Sequence, residues 1–227
     1  MAALIYQNNL LCGASLITDR FVLSAAHCVL RHNINDMYIL VGDHDITIGS
    51  DTSESALYKI GAWEIYPNYQ EATQYNDIAI LQSQTQILFS PNIGPVCLPF
   101  RYIHQTFNGA QVYIIGWGQM TFGGSISRVL RKTQVQVISN AQCNSSQLER
   151  IDQGEICTYY QQEAKDSCQF DSGGPVAWFD PTIKRFQLLG IISHGVPCGV
   201  LAPSINTRVT EYLQWIMDRT ETNYCVK

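Results

Sequence analysis

Three short stretches of the chain carry side chains able to do nucleophilic chemistry. Ser172 lies in Asp166-Ser167-Cys168-Gln169-Phe170-Asp171-Ser172-Gly173-Gly174-Pro175, crowded by two glycines, an acid and a proline. His27 stands in Leu23-Ser24-Ala25-Ala26-His27-Cys28, and Asp77 at the mouth of the apolar run Asn76-Asp77-Ile78-Ala79-Ile80-Leu81. Taken singly, the histidine reads more simply as a hydrogen-bonded core residue and the aspartate as a strand-opening turn residue. A solvent-facing turn explains the glycines and acid beside Ser172, but not the pinning of both flanks by Cys168 and Pro175. Taken together, the three types complement one another. A serine hydroxyl is a poor nucleophile until an imidazole takes its proton, and the imidazole does this best when a buried carboxylate fixes its tautomer and stabilises the cation. Glycines around the serine let a substrate carbonyl approach backbone N–H groups, each worth roughly 3 kcal/mol to a developing oxyanion. The order His27, Asp77, Ser172, with gaps of 50 and 95 residues, puts base and acid in one lobe and the nucleophile in another, so the site is expected in the cleft between them.

The rest of the chain must build those lobes. Its 227 residues, 46% hydrophobic and 15% charged, suit one compact unit or two small lobes fused into one body, and exclude disorder and fibrous repeats. A net charge of -5, from 14 basic and 19 acidic residues without a basic cluster, argues against nucleic acid or anionic membrane as partner. The longest apolar runs fall well short of the roughly 18 residues of a membrane-spanning helix. Met1-Ala2-Ala3-Leu4-Ile5-Tyr6 has none of the parts of a secretory signal, yet eight scattered cysteines without a C-x-x-C pair read as disulfides of an extracellular protein. The expectation is that this chain lacks its natural beginning.

Short apolar or alternating runs separated by Gly, Pro, Asn, Asp and Ser give an all-β texture. The expected strands are Leu10–Ile17, Phe21–Ser24, Met37–Val41, Leu57–Ile65, Ile78–Gln82, Gln111–Gly116, Val129–Ile138, Pro175–Phe179, Phe186–Ser193 and Ser204–Val209. Ser90–Pro99 holds three prolines, which cannot serve a central strand ladder, so a lobe boundary is placed there, at about residue 100. Thr210–Arg219 spaces Tyr212, Leu213, Ile216 and Met217 on one helical face, with Thr210 as the expected N-cap and Glu211 at the positive end.

Through Ala25-Ala26-His27-Cys28, Asn76-Asp77-Ile78-Ala79-Ile80-Leu81, Ile115-Gly116-Trp117-Gly118 and Asp171-Ser172-Gly173-Gly174-Pro175, the sequence resembles the chymotrypsin-like serine peptidases of the trypsin family. Around Asp166–Pro175 it looks most like insect venom or haemolymph proteases. The resemblance implies a single peptidase domain of two packed six-stranded β-barrels with a C-terminal helix, acting on peptide bonds without cofactor or metal. It implies His27 as general base, Asp77 as its orienter, Ser172 as nucleophile and the Phe170 and Ser172 N–H groups as oxyanion donors. Asp166 takes the place of a specificity acid that selects Arg or Lys. Ser193-His194-Gly195 resembles the segment that pairs with the substrate backbone, here with a histidine where an aromatic shelf is usual. Asp171 resembles the acid that receives the ammonium freed on zymogen activation. The implied setting is a secreted monomer with polypeptide substrates and protein inhibitors as partners.

Several positions depart from that pattern. Phe170 replaces a glycine at the oxyanion loop, where a side chain implies slower turnover and poor binding of rigid inhibitors. Ser204 stands where a pocket-wall glycine is common and would narrow the pocket. No Ile-Val-Gly-Gly start is present, so Asp171 would lack its cation; a fragment is expected, a zymogen-like homologue being the other reading. The rival function is a weak or silent homologue that regulates other proteins through the same cleft. By resemblance the disulfides are Cys12–Cys28, Cys143–Cys157 and Cys168–Cys198, while Cys97 pairs with Cys225 or with an upstream segment. Asn144-Ser145-Ser146 is a glycosylation sequon. His32, His44 and His104 are expected in solvent, and Asp43, His44 and Asp45 are too sparse in carboxylates for a calcium site.

Overall fold

The chain opens with a hairpin that its sequence barely signals. Strands β1 (Ala2–Tyr6) and β2 (Asn9–Leu16) are joined by Gln7 and Asn8, at φ 48° and 65°. Two successive positive φ values match the right-handed twist of the flanking strands in a two-residue hairpin. Asn suits that conformation and Gln does not, which is why no turn was expected there.

The structure, a computed structural model, describes residues 1–48, 52–119, 124–144, 150–159, 171–195, 202–220 and 223–225. Strands β3 (Phe21–Ser24), β4 (Met37–Val41), β5 (Ala56–Ile65) and β6 (Ala79–Ser83) complete a closed antiparallel barrel in the order β1-β2-β3-β6-β5-β4. A second closed barrel follows from β7 (Gln111–Gly116), β8 (Arg131–Ile138), β9 (Glu155–Tyr159), β10 (Pro175–Asp180), β11 (Arg185–Gly195) and β12 (Ser204–Arg208), in the order β10-β11-β12-β9-β8-β7. Among the described residues the ten expected strands become twelve, the additions being β1 and β9. Closure leaves none of these described strands as a sheet edge.

Leu4, Ile17, Leu23, Met37, Ile39, Ile60, Ile78 and Leu81 fill the first barrel. Val112, Ile114, Val135, Val137, Ile156, Val176 and Leu189 fill the second. Leu188 and Ile191 of β11 belong to the first core, so the barrels share packed apolar surface. The proline-rich connector is laid extended between them, with Val96 N–H on the Leu16 carbonyl (2.9 Å) and Cys97 paired with Gln187.

The C-terminal helix returns to the first barrel. Its expected start is corrected: Val209–Tyr212 forms a 3-10 turn, Thr210 caps nothing, and α2 runs over Leu213–Thr220. Tyr212, Leu213 and Ile216 are buried there, Met217 is half-buried, and Arg219 meets Glu64 at 2.8 Å. A short helix, α1 (Asn140–Asn144), was not expected.

Disulfides join Cys12 to Cys28, Cys143 to Cys157 and Cys97 to Cys225. The alternative for Cys97 is therefore resolved within the chain. Cys168, Cys198, Ser145 and Ser146 lie outside the described residues. His44 and His104 are exposed as expected, but His32 is half-buried with its ring edge-on to Tyr6 at 4.6 Å. The Asp43–Asp45 segment has a structural use: Asp45 accepts from Thr47 (2.5 Å) and Arg128 (3.1 Å), while the His44 carbonyl accepts from Trp117 Nε1 (2.9 Å) and Leu130 N (2.8 Å). It ties a loop of the second barrel to the first. The Thr47 hydroxyl, followed by Arg128, holds the Asp45 carboxyl below its ordinary range despite the opposing effect of burial.

Candidate active site

Asp77 is placed by a turn, as its position before an apolar strand suggests, and is then buried. Asn76 adopts φ 57°, a left-handed conformation that Asn tolerates, and Ile78 N–H closes on the Asn76 carbonyl at 2.8 Å. Asn76 is locked by its own amide, which donates to the Asn68 carbonyl (2.8 Å) and accepts from the Tyr212 hydroxyl (2.9 Å). The next side chain, Asp77, has no solvent exposure.

A fully buried carboxylate must be satisfied by donors. Asp77 Oδ1 accepts the backbone N–H of His27 at 2.9 Å, and Oδ2 accepts from His27 Nδ1 at 2.7 Å and from Ser193 Oγ at 2.5 Å. Thr207 Oγ1 on β12 donates to the Asp77 carbonyl at 2.7 Å. Both barrels therefore hold the carboxylate. The phenol of Tyr69 is pushed up to about 12, first by burial and then by the negative charges of Asp77 and Glu71.

His27 sits in a single 3-10 turn, Ala26–Cys28, whose neighbours Ala25 and Ala26 are small enough to be fully buried beneath it. The Cys12–Cys28 disulfide braces this turn against β2. With Nδ1–H committed to Asp77, Nε2 is left as the basic atom on a side chain that is 25% exposed. That nitrogen lies 3.6 Å from Cys28 Sγ.

Ser172 is brought to the same corner from the second barrel. Its carbonyl accepts Gly13 N–H of β2 at 2.8 Å and lies 3.7 Å from Cys28 Sγ. Among the described residues no hydrogen bond joins Ser172 Oγ to His27. Gly173 N–H donates to the Ile192 carbonyl at 2.7 Å, and Gly174 N–H to the Asp171 carbonyl at 2.9 Å.

The glycine after Ser172 serves the packing behind it. Gly173 adopts φ +80°, and a Cβ there would stand 2.2 Å from Ser24 Oγ and 2.5 Å from the Gly13 carbonyl. Substrate approach, the reason drawn from sequence, is not what this geometry demands. Asp171 is fixed in a similar way: Oδ1 accepts Gly118 N–H at 2.8 Å, and a Cβ on Gly118 would lie 2.3 Å from Oδ2.

The substrate-facing candidates lie beside this corner. Ser193, His194 and Gly195 end β11, with Gly195 opposite Ser204 on β12. Ser193 and Ser204 are buried, and His194 Nδ1 lies 2.9 Å from Ser193 Oγ. Asp166 and Phe170 lie outside the described residues. Thr207, Asn76 and Tyr212, which steady Asp77, were missed; they stand in stretches such as Ser204–Arg208, where other polar residues surround them and nothing sets them apart.

Comparison with known proteins agrees with the two-barrel fold. The family described as Trypsin matches residues 1–216. The chain is 38% identical over 226 residues to venom serine protease 34 of Apis mellifera, covering 97% of this chain and 55% of that protein. It is 36% identical over 232 residues to a venom serine protease of Polistes dominula, covering 99% and 82%. A third relative, the clotting factor G beta subunit of Tachypleus tridentatus, is 32% identical over 228 residues, covering 94% and 72%. Two closed six-stranded barrels, a family match over nearly the whole chain and these relatives lead to one conclusion: the chain belongs to the trypsin family of serine endopeptidases.

Proposed function

We propose that the protein is a secreted endopeptidase that cleaves after Arg or Lys through an acyl-enzyme on Ser172. The observation that carries the reading is the buried Asp77 carboxylate bonded to His27 Nδ1 at 2.7 Å, which leaves Nε2 free to take a proton. In the first step Ser172 Oγ attacks the substrate carbonyl while His27 Nε2 removes its proton, and Asp77 stabilises the imidazolium. The N–H groups of Phe170 and Ser172 are assigned to the oxyanion. His27 then protonates the leaving amine, and water, activated by the same nitrogen, releases the acid. Ser193, His194 and Gly195 are assigned to the substrate backbone, Ser204 to the pocket wall, and Asp171 to the ammonium released on activation. Venom relatives support secretion, since their names place them in a secreted fluid.

Asp166 is assigned to the pocket floor, where it pairs with the substrate's cation. Breaking a buried charge pair from one side costs about 3–5 kcal/mol. Asp166→Ser is therefore expected to lower kcat/KM for Arg and Lys peptides by roughly 150- to 5000-fold while sparing substrates with apolar residues at that position. Profiling cleavage of a peptide library by both proteins measures this. A wild-type preference for non-basic residues would refute the assignment.

A further inference from the structure

The strand end that carries Ser193 contains an irregularity. Ile192 of β11 pairs with Asn206 of β12, but the next pair is His194 with Ile205, so Ser193 is the extra residue of a β-bulge. In a regular strand Ser193 and His194 would point to opposite faces; a bulge re-aims side chains, and here the two touch. Ser193 has one hydroxyl hydrogen, donated to Asp77 Oδ2 at 2.5 Å, so its oxygen accepts from His194 Nδ1, 2.9 Å away. His194 therefore carries its proton on Nδ1. Its other nitrogen lies 4.0 Å from Oε1 of Glu155, a carboxylate whose side chain is only 4% exposed and whose Oε2 accepts Asp152 N–H at 2.9 Å.

We propose that His194 is a positioning residue for the catalytic carboxylate, acting through the Ser193 hydroxyl to set how much of the Asp77 charge faces His27, with Glu155 favouring its protonated form. The inference rests on the reading of His27 as base and Asp77 as its partner. Chains of hydrogen bonds polarise one another, so a proton bound at His194 Nε2 strengthens Nδ1–H, then the Ser193 donor, and draws Asp77 charge away from His27. A cation on this side also opposes protonation of His27. Among the described residues, the other titratable or charged groups facing the chain are Tyr69, which feels Asp77, and Asp152, Arg208 and Tyr212 around Glu155. None lies between His194 and Ser193.

The sign follows directly. With His194 protonated, His27 gives up its proton at lower pH, so removing that cation moves the acid limb of the kcat/KM profile upward. His194→Asn keeps a donor in place of Nδ1–H but cannot titrate; it should raise the limb by about half a unit or more, apart from any change in substrate binding. His194→Phe loses the donor and should also lower the plateau kcat about tenfold. Glu155→Gln should raise the limb in the same sense, with no further movement in the double variant with His194→Asn. These are read from pH profiles of the activated protein on a peptide substrate, with active concentration fixed by titration of the nucleophile. If the His194 variants alter KM alone and leave limb and kcat in place, His194 is only a surface for substrate and the inference fails. If His27→Ala turns over substrate as fast as wild type, the reading of His27 as base fails instead, whatever His194 does.

Discussion

Asp77→Asn should lower kcat about 10⁴-fold with little change in KM, because an amide in this site inverts the histidine tautomer. The carboxylate accepts three hydrogen bonds: the His27 backbone N–H on Oδ1, and His27 Nδ1–H and the Ser193 hydroxyl on Oδ2. An NH₂ in place of Oδ2 confronts two donors and forces His27 to accept at Nδ1, moving its proton to Nε2, where it can no longer take one from Ser172. An NH₂ in place of Oδ1 faces a backbone N–H that cannot turn away. Because the Ser193 hydroxyl can rotate and His27 can change tautomer, whereas the backbone N–H is fixed, the first orientation prevails and the base is lost while substrate contacts stay in place. Steady-state kinetics at neutral pH on titrated protein decide it; a loss smaller than tenfold would mean that Asp77 does not orient the base.

Gly173→Ala should destabilise the fold by about 3 kcal/mol or more and lower activity at least 100-fold in the protein that does fold. Two costs combine. The residue sits at φ +80°, which an L side chain rarely adopts, and the added methyl meets Ser24 Oγ at 2.2 Å and the Gly13 carbonyl at 2.5 Å. Ser24 is itself held, buried and donating to that carbonyl at 2.8 Å, so neither neighbour can step aside. Relief must come from the loop that carries Ser172, moving the nucleophile away from His27. Urea unfolding together with kcat corrected for folded fraction tests both halves. Wild-type stability would show that the two barrels approach less closely behind Ser172 than described.

Much of this architecture was legible in short stretches. The glycine and proline punctuation delimited ten strands, and the three prolines of Ser90–Pro99 marked the extended connector. The strands that were missed have physical reasons. β1 ends in a Gln-Asn turn that carries positive φ without a glycine, and β9 begins with Glu155, a charged residue buried in an otherwise apolar strand. Thr210 looked like a cap because a polar residue preceded a helical period, yet the tight 3-10 turn at Val209–Tyr212 delays the α-helix. At the site, residue types could suggest that His27 and Asp77 act together. They could not reveal Ser193 and Thr207 behind Asp77, because those contacts cross from one barrel to the other, nor Tyr212 on Asn76, which the C-terminal segment brings back to the first barrel. Nor could they reveal the bulge that turns Ser193 and His194 toward each other, since register is set by pairing across strands.

The most direct test of the account is mass-spectrometric labelling of the activated protein by a fluorophosphonate, which reacts with a serine only when a neighbouring base activates it. The account predicts stoichiometric modification of Ser172 that disappears in His27→Ala. Folded, correctly disulfide-bonded protein that leaves Ser172 unlabelled would contradict it, and would leave the same cleft as a binding surface rather than a catalytic one.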